Sequence, residues 1–145
     1  MEYKWTTDLT TTTYRDALRL RKDVFVAEQQ VSIEEEIDAF EDKCYHLVTY
    51  IDDDAVATGR ILPQSEEEAL FQRVAVLKTV RGLGYGRDLI IEMLDKSKGL
   101  GFKEASLHGQ DHAIPFYEKI GFQVEGEGYL DAGIPHHTMR KSIDN

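Results

Sequence analysis

The chain has 145 residues, a formal net charge of −10 and 41 % hydrophobic residues, the profile of one ordinary soluble domain spanning 1–145 rather than a disordered, fibrous or membrane chain. A chain of this length can bury most of its apolar surface in one core without disulfides or a structural metal. Its lone cysteine, Cys44, excludes an internal disulfide, no Cys/His pair stands at zinc-finger spacing, and residues 1–10 carry Glu2, Lys4 and Asp8 without the apolar run of a leader. With no stretch near the roughly 18 apolar residues of a membrane span, the expectation is a cytoplasmic protein without a metal or a membrane partner.

The charge is unevenly placed. Between Glu28 and Asp54 stand ten acids (Glu28, Glu34, Glu35, Glu36, Asp38, Glu41, Asp42, Asp52, Asp53 and Asp54) and one base, Lys43, so the rest of the chain is almost neutral. Within that remainder, residues 73–103 hold seven bases and three acids. The overall acidity argues against a nucleic-acid partner, whereas the basic middle can hold a small polyanion.

In chain order, residues 1–6 read as a first strand. The threonines from Thr10 to Thr13 offer N-caps for a helix whose apolar positions Tyr14, Ala17, Leu18, Val24 and Phe25 follow a 3.6-residue period. Arg21 falls on that stripe; it either snorkels at the rim of the core or turns inward to pair with a carboxylate such as Glu28. Residues 45–51 and 55–62 are rich in strand formers, with a hairpin turn at 52–54. After an acidic turn at 65–68, residues 69–76 form another strand. The pattern then becomes helical, with Leu89, Ile90, Met93 and Leu94 on one face, Asp88, Glu92 and Lys96 on the other, and Gly99 and Gly101 as the stop. A short strand around Ala105 and Leu107 precedes a helix from about 113 to 120 that Gly121 ends. Two final strands near 122–129 and 135–141 flank an Asp131-Ala132-Gly133 turn. This order describes α/β layers around a mixed sheet.

The segment Arg81-Gly82-Leu83-Gly84-Tyr85-Gly86 lies between a strand and a helix. Such a turn is either a tight connection or an anion site, because a helix N-terminus aims free N–H groups and about half a positive charge at a ligand. Gly84 and Gly86 permit close backbone approach, and Arg81 and Arg87 add side-chain charge. Neither a P-loop ending nor dinucleotide G-x-G-x-x-G spacing is present.

Those six residues resemble the Arg/Gln-x-x-Gly-x-Gly/Ala pyrophosphate loop of the GNAT superfamily of acyl-CoA-dependent N-acyltransferases. The preceding Arg73-Val74-Ala75-Val76 is similar to that superfamily's fourth strand. Residues 110–122, Gln-Asp-His-Ala-Ile-Pro-Phe-Tyr-Glu-Lys-Ile-Gly-Phe, resemble its Asn-x-x-Ala-x-x-Phe-Tyr-x-x-x-Gly-Phe segment, with Gln110 in place of Asn. A narrower resemblance, to the small bacterial ElaA/YjcF-like branch, rests on Arg21 to Gln29, the acidic run ending in Glu41-Asp42, His46, and Gly133-Ile134-Pro135-His136 with Met139. The resemblance implies a three-layer fold with a mixed, mostly antiparallel sheet of about seven strands and helices on both faces. It implies acetyl-CoA as acyl donor and an amine, of a small molecule or a protein, as acceptor, in a monomer or a homodimer.

It also implies roles. Backbone groups of Val74, Ala75 and Val76 would meet the pantetheine arm and the thioester; Arg81, Gly82, Leu83, Gly84, Tyr85, Gly86 and Arg87 would hold the pyrophosphate; Gln110 and Phe116 would complete the cofactor site. Tyr117 would also touch the cofactor and protonate the departing thiolate, a phenol of pKa about 10 serving a thiol of about 8.5. Many members carry a basic Glu on the fourth strand, but Phe71, Gln72 and Arg73 offer no carboxylate. Candidates for the base are then His46, His108 and His136, with Glu28, Asp42 and Asp131 behind them. Glu28, Glu41, Asp42 and Asp131 are the expected acceptor-binding acids, and the acidic window suggests a cationic amine. Cys44 is expected to be a small buried residue. The alternative reading is a catalytically weak acyl-CoA-binding regulatory module.

Overall fold

The structure, a computed structural model, describes residues 1–28 and 38–143, with backbone alone at 26–28. Strand β1 (Glu2–Thr6) leads to helix α1 (Thr12–Arg21), whose N-cap Thr11 accepts the Tyr14 N–H through its hydroxyl at 3.3 Å. The helix runs on into a π-helical turn, Lys22–Glu28. Strands β2 (Tyr45–Ile51) and β3 (Asp54–Pro63) form a hairpin in which Asp52 and Asp53 take positive φ of 49° and 70°, a turn that Asp tolerates better than most residues. Then follow β4 (Glu68–Val76), α2 (Tyr85–Gly99), β5 (Glu104–Gln110), α3 (Ile114–Ile120), β6 (Gln123–Asp131) and β7 (Ile134–Ser142). The expected α/β order is what forms, with a 3-10 turn at Asp111–Ala113 ahead of α3.

The seven strands make one sheet in the order β1-β2-β3-β4-β5-β7-β6. Every pairing is antiparallel except β4 with β5. The amphipathic face of α2, with Leu89, Ile90 and Met93 fully buried, covers Leu47, Ala57, Ile61, Phe71, Leu107 and Met139 on one side of the sheet. On the other side Ala17 and Leu20 of α1 cover Val48, Tyr50 and Ala55.

Two departures from a regular sheet open it between β4 and β5. The parallel β4–β5 pairing runs only from Glu68 opposite Glu104 to Phe71 opposite Leu107. Beyond it β4 stays with β3 and β5 with β7, so the two strands part. At that same level β4 carries a bulge: Thr58 faces Ala75 and Arg60 faces Gln72, which leaves Arg73 and Val74 opposite Gly59. Arg73 holds φ of 55°, in the left-handed region that non-glycine residues avoid. Below the fork, Arg140 on β7 bridges Glu68 on β4 at 3.0 Å, Glu104 on β5 at 3.2 Å and Glu125 on β6 at 2.8 Å, clasping four strands at the closed end.

One expectation needs correction. Arg21 is 1 % exposed, so it does not snorkel. It does turn inward to a carboxylate, but Glu41 is the one it meets, with Nη1 2.7 Å from Oε1 and Nη2 3.0 Å from Oε2. The Glu28 side chain lies outside the described residues, as do Glu34, Glu35 and Glu36.

Candidate active site

Side chains alternate between the two faces of a strand, so the register assigns each residue near the fork to a side. Gly59 looks onto Met93 of α2, which places Arg60 and its partner Gln72 on the α1 side. On β5, Leu107 joins the α2 core, so His108 points the other way. His136 and Thr138 on β7, and Tyr129 on β6 opposite His136, share the face of His108. The fork between β4 and β5 therefore has one face toward α2 and the other toward α1.

On the α2 side the glycine turn opens the helix. Gly82 and Gly84 have φ of 83° and 88°, and a Cβ at either would meet nothing within 4 Å, so conformation alone calls for glycine there. Gly84 caps α2 without a side-chain bond, and the bond from Asp88 N–H to Gly84 O at 3.0 Å leaves Tyr85, Gly86 and Arg87 in the first turn, where N–H groups point outward. The bare Cα of Gly86 sits between Val76 and Phe116, each 3.6 Å from where its Cβ would stand. Arg81 folds back so that Nε donates to Val76 O at 2.9 Å, tying the loop to the end of β4. Leu83, 67 % exposed, is the loop's tip.

Tyr117 stands on this same side. Its ring packs on Phe116 and Phe122, with centroids 5.0 Å and 6.0 Å away, and it lies over Gly109 of β5, whose missing Cβ would be 3.6 Å from it. Burial pushes the phenol up to about 12, so it carries its proton throughout the neutral range. Gln110 ends β5 with Oε1 2.6 Å from His112 Nε2.

Across the sheet, His108 Nδ1 lies 2.6 Å from the Tyr129 hydroxyl, and Tyr129 is stacked on His136 with centroids 6.0 Å apart and planes inclined by 18°. The Nδ1–H of His136 donates to Ile134 O at 2.7 Å, which leaves Nε2 as the lone-pair nitrogen of the neutral ring. His108 is the first β5 residue past the last pairing with β4. Tyr129 was not anticipated from sequence; only the β6–β7–β5 register brings it to His108.

His46 is 1 % exposed on β2, two strands from the fork, with Nε2–H donating to Glu41 O at 2.8 Å beneath the Tyr14 ring. Desolvation by burial lowers its pKa. Glu41 is 4 % exposed and its carboxylate is shared by Arg21, Arg60 and the Tyr14 hydroxyl. Asp42 is exposed beside it, and Asp131 is exposed at the β6–β7 hairpin beyond Tyr129, at the end where β4 and β5 part. Cys44 is 1 % exposed, as expected of a small buried residue. Among the described residues no three His, Cys, Asp or Glu side chains gather into a metal-binding group, and no helix is long and apolar enough to cross a membrane.

Comparison with known proteins assigns this forked parallel strand pair, with its bulge and glycine-opened helix, to a family. Residues 10–143 match the family model for the acetyltransferase (GNAT) domain. The uncharacterised N-acetyltransferase YjcF of Bacillus subtilis (strain 168) is 40 % identical over 129 residues, 88 % of this chain and 91 % of that protein. Crystal structures of Escherichia coli ElaA and of an acyl-CoA N-acyltransferase from Pseudomonas aeruginosa superpose with TM-scores of 0.87 and 0.85. Each is 29 % identical and covers 97 % of this chain and 99 % of its own. The chain belongs to the GNAT acetyltransferase family, the acyl-CoA-dependent N-acetyltransferases.

Proposed function

We propose that this protein, acting as one domain over 1–145, transfers the acetyl group of acetyl-CoA to a primary amine of a small molecule or protein by direct attack on the thioester. The observation that carries the reading is the fork itself, which joins the glycine loop and Tyr117 on one side to His108 and Tyr129 on the other. The residues present suit the donor. The loop from Arg81 to Arg87 would take the diphosphate at the N-terminus of α2. Val74, Ala75 and Gln110 would line the pantetheine arm's path, and the Val76 carbonyl, which accepts from Arg81, keeps a second lone pair for it.

In the reaction, the ammonium of the acceptor first gives a proton to His108 Nε2, with Nδ1–H donating to the Tyr129 oxygen. The free amine forms a bond to the thioester carbon while the carbonyl oxygen takes up negative charge beside backbone N–H groups of the bulge; donors of this kind contribute about 3–4 kcal/mol in known oxyanion holes. The C–S bond then breaks, Tyr117 O–H supplies the thiolate with its proton, and the nitrogen loses its second proton to solvent as the phenol is restored. His136 supports Tyr129 from behind. His46 and Glu41 take no part. Among the described acids of the cationic-acceptor reading, Asp42 and Asp131 are exposed to solvent.

The test is CoA release by the purified chain with acetyl-CoA and a panel containing a polyamine, an amino sugar, a lysine peptide and amines bearing carboxylates. The expected result is stabilisation by acetyl-CoA together with amine-dependent release, fastest for the cationic acceptors. Stabilisation without release from any amine would favour the acyl-CoA-binding regulatory module, a reading kept open by the lack of a carboxylate at Phe71, Gln72 or Arg73. Neither effect would overturn both.

A further inference from the structure

The strongest set of buried charges in the molecule is one that the acetyl transfer above does not use. Glu41 is gripped by Arg21 from α1 and by Arg60 Nη1 from β3 at 2.5 Å. Arg60, itself 1 % exposed, reaches onward to Asp38, with Nη1 3.1 Å from Oδ1 and Nη2 2.8 Å from Oδ2, and to the Gln72 amide oxygen at 2.7 Å. Asp38 Oδ1 also accepts the Phe40 N–H at 3.0 Å, so the carboxylate is held from two directions. Its Oδ2 then accepts from Arg73 Nη2 at 3.3 Å. Arg73 is the bulge residue of β4, at φ of 55°, on the strand that borders the fork.

We propose that Asp38 is a positioning residue for acetyl transfer: by anchoring Arg73 it holds the left-handed bulge of β4, and so fixes how the backbone at Val74 meets the fork. The inference rests on the acetyltransferase reading of that fork. A non-glycine residue keeps a left-handed conformation only where its surroundings hold it, and here two successive β4 residues, Gln72 and Arg73, are tied through side chains to one post made by the buried Arg60 and the half-buried Asp38. Burial opposes the charge on Asp38, but the hydrogen bond from Arg60, the Phe40 N–H and the charges of Arg60 and Arg73 outweigh it and bring its pKa to about 2, so the anchor stays ionised at neutral pH. The glycine loop is fastened separately, by Arg81 on Val76. Losing the anchor should therefore misalign the transition-state donors while the diphosphate loop keeps its hold on the donor substrate.

The test uses Asp38→Asn and Arg73→Gly in the full chain. Glycine adopts the left-handed conformation freely, so Arg73→Gly removes the tether while permitting the bulge. Both variants are expected to lower kcat about 10- to 100-fold, the scale of a small misplacement of reacting groups, with KM for acetyl-CoA within about 2-fold and thermal midpoints for Arg73→Gly near wild type. Backbone hydrogen exchange at 74–76 is expected to quicken in both, with exchange in β2 and β7 unchanged. Wild-type kcat in folded variants, or faster exchange with unaltered kcat, would overturn the proposal. So would a fall in kcat matched by equal losses of acetyl-CoA affinity and melting temperature. If the wild-type protein turns over no amine, the acetyltransferase reading fails first and this role with it, while the exchange data still report whether Asp38 holds the bulge.

Discussion

Arg21 and Glu41, twenty residues apart, meet as a two-pronged ion pair almost sealed from water, their side chains 1 % and 6 % exposed. Removing one member strands the other, and an uncompensated buried charge costs about 3–5 kcal/mol. Glu41→Ala, which leaves both Arg21 and Arg60 short of a partner, should lose about that much in urea unfolding. Its exposed neighbour gives the control: Asp42→Ala should stay within about 0.5 kcal/mol of wild type. Equal effects at the two positions would contradict the buried network.

Acid should dismantle the same network. Asp38 has a folded-state pKa of about 2 against an ordinary 3.8, because Arg60 and Arg73 favour its charge more than burial opposes it. Its stabilisation is therefore complete above about pH 5 and is lost as pH falls through 2, an effect of about 2 kcal/mol. Burial raises and Arg21 with Arg60 more than offsets for Glu41, and Ser106 and Arg140 do the same for Glu68, so both add a loss of the same sign. Urea midpoints measured from pH 5 to pH 2 should fall steadily, and Asp38→Asn should flatten part of that slope.

Tyr117→Phe keeps the ring contacts with Phe116 and Phe122 and deletes only the proton donor. Steady-state kinetics should show kcat reduced by about 100-fold or more, the usual contribution of a general acid, while calorimetry finds acetyl-CoA affinity within a few-fold. Unchanged turnover would remove the phenol from the reaction.

For the opposite side of the fork, His108→Gln should reduce kcat/KM for the amine by about 100-fold, and Tyr129→Phe, which leaves the imidazole in place with only the longer contact to Thr138 Oγ1, by a smaller factor. His46→Gln should affect stability and not the amine's kcat/KM. The contrast between the three histidine-centred variants separates a base at the fork from a buried hydrogen-bonding group two strands away.

Gly59 tests the packing behind the bulge. A Cβ there would lie 2.7 Å from Met93 Sδ, and Met93 is wholly buried. Gly59→Ala should cost about 1–3 kcal/mol in chemical denaturation, as overpacked cores do. Gly99→Ala, with nothing within 4 Å, should be neutral or stabilise by up to about 1 kcal/mol.

The local features of this fold were legible in the residues themselves. The α2 face, the Thr cap, the two-aspartate hairpin and the glycine turn each follow from period or backbone preference over a few neighbours. What could not be read is everything that depends on register between distant strands. That β4 and β5 part after Phe71 and Leu107 and that Tyr129 reaches His108 are set across the sheet, and Arg21 finds Glu41 only when α1 docks beside the turn ahead of β2. The bulge at Arg73 was hidden because the left-handed residue is an arginine. A glycine inside a strand signals a bulge or a close approach, and Gly59, facing both the bulge and Met93, was the available clue.

The burial of Cys44 has a practical reach. The thiol is 1 % exposed, and desolvation pushes its pKa up to about 11, so almost none of it is thiolate at neutral pH. As the protein's one cysteine, it gives the native molecule no reactive sulfhydryl. Disulfide reagents added during turnover should then count liberated coenzyme alone, and a mixed disulfide with that coenzyme should form only on the unfolded chain. The same residue therefore serves as a silent background in the activity assay and a built-in reporter of global unfolding.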